Sequence, residues 1–174
     1  MVAKSTKQRV IKRLQWTSQV EGINCVMFLG ILAFLNFSYT VSNLYILSYG
    51  LLFMCFILFQ GTYYWWKKLS VLKGKSINQT KVLRRFQSFK TMNEIGIVLI
   101  PVVIVLQWYA SGRQLNGSNF LIWGFLANGF AILEHINYYH KQIMLDNEHD
   151  VNFVLRNRKI KEASLAKDLR EQKI

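Results

Sequence analysis

One proline, two cysteines and nine acidic residues in a chain of 174 already narrow what this sequence can be. Proline breaks the backbone ladder only where it stands, so with Pro101 alone the chain is free to form long helices elsewhere. Cys25 and Cys55 make no Cys-x-x-Cys or Cys/His spacing, which leaves no basis for a disulfide framework or a zinc site. There is no glycine-rich phosphate loop, no Gly-x-Ser-x-Gly elbow and no His-Glu-x-x-His, so nucleotide hydrolysis and serine or zinc hydrolase chemistry lack their motifs. Glu134, His135 and His140 miss the Glu-x-x-His spacing of di-iron bundles. His135, His140 and His149 all fall on or after the last apolar block, whereas bis-histidine haem needs ligands from two helices. No cofactor and no metal are expected.

Apolar residues make up 52% of the chain and charged ones only 18%, with a mean hydropathy of +0.16, too apolar for a soluble domain. They lie in four blocks, about 21–39, 44–64, 93–109 and 120–139, each near the ~20 residues that cross ~30 Å of hydrocarbon. The expected fold is an all-α integral membrane protein, with four transmembrane helices in an antiparallel bundle and short amphipathic helices on the cytoplasmic side. The positively charged start resembles a signal peptide, but the block after it is too long, so it reads as a span that stays.

The 22 basic residues set the orientation. Five precede the first block, eight lie between the second and third, eight follow the fourth, and only Arg113 falls on the other side. Lys and Arg in short loops stay in the cytoplasm, which puts both termini there, most simply at the plasma membrane. Aromatic residues mark the two interfaces: Trp16 and Tyr63 to Trp66 inside, Tyr39, Trp108 and Tyr109 outside. The basic collar attracts anionic headgroups, an arrangement that makes nucleic acid a poor partner. An Asn116-Gly117-Ser118 sequon sits in the outer connection and matters only in a cell that glycosylates.

Three basic pieces flank the spans. Segment 1–20 carries Val10, Ile11 and Leu14 as an amphipathic stripe, and the 67–92 loop carries Val82, Leu83, Phe86 and Phe89 against Lys81, Arg84, Arg85 and Lys90. The charged tail, 141–174, has Ile160, Ala163, Ala166 and Leu169 near helical spacing and reads as a peripheral surface helix, so truncation after Asp150 is expected to leave a stable bundle. Ser18-x-x-Glu21 and Thr91-x-x-Glu94 match the capping box at a helix start.

Ionisable and amide groups within a bilayer are the first candidates for function. With alternating spans, Glu21 and Asn24, Gln60, Asn93 and Glu94, and Glu134, His135 and Asn137 all fall at one depth near the cytoplasmic leaflet, a candidate polar layer. On the fourth span Gly124, Ala127, Asn128 and Ala131 form a small-residue face for helix packing that continues through Glu134, His135 and Tyr138, while Phe125, Ile132, Ile136 and Tyr139 face lipid. Pro101 marks a kink in the third span. These features fit, in descending order, a self-assembling or partner-binding membrane subunit without catalysis; an oligomeric channel or cation-coupled transporter using the layer around Glu134; and a lipid-modifying enzyme with Glu134 and His135 as acid and base.

Overall fold

The computed structural model describes residues 2–113, 120–144 and 148–174, and the outer sequon lies outside them. Its elements are helices: α1 (Val2–Ser38), α2 (Tyr45–Leu72), α3 (Gln79–Ala110), α4 (Leu121–Tyr139), α5 (Glu148–Asn157) and α6 (Ser164–Glu171). Three of them, α1, α2 and α3, are long and apolar enough to cross a membrane, which makes the chain an integral membrane protein. The 19-residue α4 is about 28 Å long, close to the hydrocarbon thickness, and is diluted by Asn128, Glu134, His135 and Asn137.

At the basic end three helices run well beyond their apolar blocks: α1 and α3 start earlier and α2 ends later. Nothing between Val2 and Glu21 breaks a helix, and extending an existing helix costs far less than nucleating one, so the basic N-terminal segment is the first half of α1. The 67–92 segment is likewise mostly helix, with a connection only from Lys73 to Asn78. Gly74 takes the left-handed backbone (φ 78°) that lets the Lys75 N–H close back on the Ser70 carbonyl at 3.0 Å. Asn78 then starts α3, its side chain accepting from the Lys81 N–H at 2.9 Å.

This corrects both capping boxes. Glu21 and Glu94 lie in helix interiors, where no orphan N–H groups await them. The Ser18 hydroxyl instead donates to the Thr62 carbonyl on α2 at 3.4 Å, and the Thr91 hydroxyl to the Gln87 carbonyl one turn back. α3 runs unbroken through Pro101, which is exposed on its surface.

α2 is the axis of the molecule. Of its apolar window 61% is buried, against 6% for each of α1 and α3, which lie against it and present their remaining faces outward. α1 packs antiparallel to α2, as Ser18–Thr62 at one end and the Cys25–Cys55 pair further along show. α3 is also antiparallel to α2, meeting it at Gln60–Asn93 and Tyr49–Gly96. The intimate contact with α4, however, is parallel: Gly50 faces Ala127 and Asn128, and Gly61 faces Tyr138. The expected antiparallel bundle is thus a central helix with two antiparallel neighbours and one parallel neighbour.

Small residues make the parallel contact possible. A Cβ on Gly50 would stand 2.9 Å from the Ala127 Cβ and 3.0 Å from the Asn128 backbone nitrogen, and one on Gly124 would stand 2.6 Å from Ile46 Cγ2. Backbones this close let Asn128 Nδ2 donate to the Ile46 carbonyl at 2.9 Å. Gln107 of α3 secures the same end of α2, accepting from the Ile46 N–H at 3.1 Å and donating to the Ser42 carbonyl at 3.1 Å. Gly124, Ala127, Asn128, Ala131, His135 and Tyr138 are all buried. Two positions differ from expectation: Glu134 is only partly buried, and Tyr139, expected to face lipid, is 3% exposed and points inward.

The tail is the largest correction. From His140 the chain doubles back, with the Ala163 N–H on the His140 carbonyl at 3.2 Å and the Gln142 N–H on the Lys161 carbonyl at 2.9 Å. α6 then lies against α3 and α4, burying Leu165 in one cluster with Tyr64, Leu83, Phe86 and Tyr138. Leu165 and Asp168 share the inward face by their i, i+3 spacing, whereas Arg170 turns outward to Glu162 at 2.9 Å. The tail is therefore not peripheral but packed into the core, so its loss is expected to be felt by the bundle.

Candidate functional site

Polar side chains concentrate at the basic end, where the first half of α1, the end of α2, the start of α3, the end of α4 and the tail converge. They form three groups. In the first, Gln60 and Asn93 face each other as paired amides, Gln60 Nε2 donating to Asn93 Oδ1 at 2.8 Å and Asn93 Nδ2 to Gln60 Oε1 at 2.9 Å. The Tyr139 hydroxyl donates to the same Gln60 oxygen at 2.7 Å, so α2, α3 and α4 are joined at one point buried to 3% exposure or less. His135 packs beside it, stacked on the Tyr139 ring at 5.1 Å, with its Nδ1 without a partner among the described residues.

The second group is built on Glu21. Burying a carboxylate is costly unless donors surround it, and here Trp65 Nε1–H donates to Glu21 Oε1 at 2.9 Å while the Tyr138 hydroxyl donates to the same oxygen. The other oxygen, Oε2, is buried and has no hydrogen-bond partner among the described residues. Gly61 makes this packing possible, since a Cβ there would collide with the Tyr138 hydroxyl oxygen and stand 2.6 Å from Glu21 Oε2.

The third group ties down the tail. Asp168 Oδ2 accepts from the Tyr64 hydroxyl at 2.6 Å and from Lys68 Nζ at 2.8 Å, and Lys68 also donates to the Tyr64 oxygen. A carboxylate meeting an ammonium and a phenol away from water is a strong, specific lock.

Between the second and third groups lies a cavity of about 350 Å³. Glu21, Trp65 and Tyr138 line it, and Val10, Leu14 and Leu72 give it apolar walls. Arg13 of α1, Lys68 of α2 and Lys161 of the tail bring positive charge to it.

The sequence-derived layer is thus divided. Gln60 and Asn93 meet, with His135 beside them, and Glu21 forms a separate group with residues outside the expected set. Asn24 is half-buried on α1. Glu94 is exposed and lies 3.9 Å from Lys90 on its own helix. Asn137 turns the chain after α4, its Oδ1 accepting from the Ile143 and Met144 N–H groups at 3.0 and 3.1 Å, with Nδ2 on Glu134 at 3.3 Å. Glu134 and His135 do not converge: one meets Asn137, the other stacks on Tyr139.

Trp65, Tyr64, Lys68 and Asp168 were outside the expected set. Tyr63 to Trp66 reads as an interfacial belt by composition, and only the rule that a buried indole N–H or phenol needs an acceptor points from such a run to Glu21 and Asp168.

Replacing Gln60 by Leu strands the Asn93 amide and the Tyr139 hydroxyl. The expected cost is about 1–2 kcal/mol, as for interhelical hydrogen bonds in membranes, read as a lower unfolding midpoint in detergent; adding Asn93→Leu should recover part of it. Set against protein-family models, curated proteins and solved structures, the chain has no match, so its function rests on its own residues.

Proposed function

We propose that the chain is a non-catalytic multi-pass membrane subunit, with four spans and both termini in the cytoplasm, that assembles with itself or with another membrane protein through the open faces of α1 and α3. The observation that carries this reading is the disposition of the polar groups: Gln60, Asn93 and Tyr139, and Glu21, Trp65 and Tyr138, bond to one another across helices and so tie the bundle together. The distribution of Lys and Arg supports the orientation, and the basic end then rests on anionic headgroups. α1 and α3 supply the assembly faces, with Val26 and Val98 71% and 72% exposed.

The test is oxidative cross-linking in native membranes. In a chain with Cys25→Ser and Cys55→Ser, a single Val26→Cys or Val98→Cys is expected to give a covalent dimer or a cross-link to one partner. Monomer throughout, together with a monomeric mass by native mass spectrometry, would falsify the assembly reading.

A second reading, cation or proton passage, draws on the two buried polar atoms without partners, Glu21 Oε2 and His135 Nδ1. Proteoliposomes holding the purified chain are expected to leak protons no faster than empty ones. A flux that disappears in Glu21→Gln or His135→Phe would replace the subunit reading with this one.

A further inference from the structure

We propose that Cys25 and Cys55 are an oxidisable pair: a lipid hydroperoxide converts their two thiols into one disulfide that staples α1 to α2 within the bilayer. The pair belongs to the contact between these two helices and is independent of the assembly reading given above.

The spacing of the two residues in the sequence carries no motif, and it is the pairing of the helices that brings them together. Cys25 Sγ donates to the Cys55 carbonyl at 3.7 Å and Cys55 Sγ to the Cys25 carbonyl at 3.5 Å. The two thiols, both free, also lie within hydrogen-bonding reach of each other. A second contact fixes the register independently. Ser18 meets Thr62 seven residues away along each helix, two turns on, so both contacts belong to one antiparallel seam in which residues 25 and 55 stand opposite at one depth. A disulfide needs the two Cα atoms within about 7 Å and the Cβ atoms turned toward each other. Reciprocal contact, each sulfur on the other residue's backbone, is the mark of such a pair.

The two thiols differ in access. Cys55 is 6% exposed, whereas Cys25 is only partly covered. Side chains on a helix lean toward its start, and Gly22, one turn before Cys25, has no side chain to close that approach. Both cysteines lie on helices that cross the membrane, within their apolar blocks, so what reaches Cys25 comes through hydrocarbon. A covered thiol in apolar surroundings is inert toward water-borne oxidants, which act on the thiolate. A lipid hydroperoxide is neutral and is made in the bilayer itself, so it meets no such barrier. Two facing thiols could instead hold a soft metal ion as thiolates, but that complex buries negative charge without a counter-charge, while a disulfide is neutral.

The chemistry runs in two steps. Cys25 Sγ attacks the terminal oxygen of the hydroperoxide, the O–O bond breaks, and the lipid leaves as an alcohol carrying the thiol proton, with Cys25 now a sulfenic acid. Cys55 Sγ then displaces the hydroxyl from Cys25, the S–S bond forms, and water leaves with the Cys55 proton. Two electrons pass from the thiols to the peroxide, and nothing else is consumed. The weak thiol contacts between α1 and α2 become a covalent bond, which holds α1 in its place on α2.

The full-length chain in phosphatidylcholine vesicles would be treated with cumene hydroperoxide, a hydrocarbon-soluble probe, or with oxidised glutathione, then denatured, alkylated with N-ethylmaleimide and weighed intact. The peroxide is expected to remove the mass of two hydrogen atoms, to leave no thiol for the maleimide and to give a Cys25–Cys55 linked peptide within one chain. Oxidised glutathione should leave both thiols free. The oxidised chain should unfold about 5 °C or more above the reduced one. Cys55→Ser should stop at a Cys25 sulfenic acid that dimedone traps, and Cys25→Ser should leave Cys55 open to alkylation after the same exposure. The unaltered chain decides without either variant: two free thiols after the peroxide treatment, Cys25 carried to the sulfinic acid with Cys55 intact, a bridge between two chains, or equal unfolding midpoints of the two forms each overturn the proposal. The mass is read on a denatured single chain, so the result stands whether or not the chain assembles.

Discussion

Ending the chain at Asn157 should leave a protein that accumulates poorly in membranes and aggregates on size-exclusion chromatography in detergent. The deletion uncovers Tyr64 and Phe86, both with no exposure in the full chain, and Leu83 at 1%. Covering large side chains of this kind contributes about 1.5–3 kcal/mol each where they would otherwise meet water, so losing the cover approaches the whole stability of an ordinary domain. A milder form isolates the polar lock. Asp168→Ala leaves Lys68 and the Tyr64 hydroxyl without their acceptor, and because the ion pair is largely covered the expected loss is about 2–3 kcal/mol. Asp168→Asn, which retains an oxygen, should cost less. A truncated chain with an unaltered elution volume and melting midpoint would mean that the tail only rests on the bundle.

Gly50→Leu should be as damaging, and for a different reason. A Cβ alone at this position meets Asn128 Nδ2 at 2.7 Å and the Ala127 Cβ at 2.9 Å, so an isobutyl group forces α2 and α4 apart and breaks the Asn128 bond to Ile46. Overpacking of this sort costs about 3 kcal/mol or more when backbone, not a mobile side chain, has to yield. Gly22→Ala and Gly30→Ala on α1 are the controls, because nothing lies within 4 Å of a Cβ at either. Helix propensity alone makes those two neutral to stabilising, by up to about 1 kcal/mol. Thermal unfolding of the three variants in one detergent gives the comparison; equal midpoints for Gly50→Leu and Gly30→Ala would show that α2 and α4 do not pack as described.

The membrane-embedded part was legible because its signals are simple and repeated. Apolar length located the helices, and the run of small residues from Gly124 to Ala131 identified the face of α4 that packs. Helix ends were not legible, since hydropathy reports where lipid is and says nothing of where the backbone ladder starts or stops; α1 and α3 begin their ladders well before their apolar blocks. Depth likewise placed Glu21 and Asn93 at one level but could not say that Asn93 faces Gln60 while Glu94, one residue on, faces away. Neighbours along a helix point about 100° apart, so only knowledge of which faces meet separates them. The tail was misread because Leu165 and Asp168 look, in sequence, like any short amphipathic helix, and the residues that receive them lie about a hundred positions earlier.

α1 has 37 residues and α3 has 32, lengths of about 55 and 48 Å against a hydrocarbon layer of ~30 Å. Both exceed the layer at the basic end, and in neither does a turn separate the part in lipid from the part beyond it. Each is a stiff lever with its fulcrum at the headgroups. A load on the protruding arm would be carried along the same helix into the part within the bilayer, because no turn separates the two.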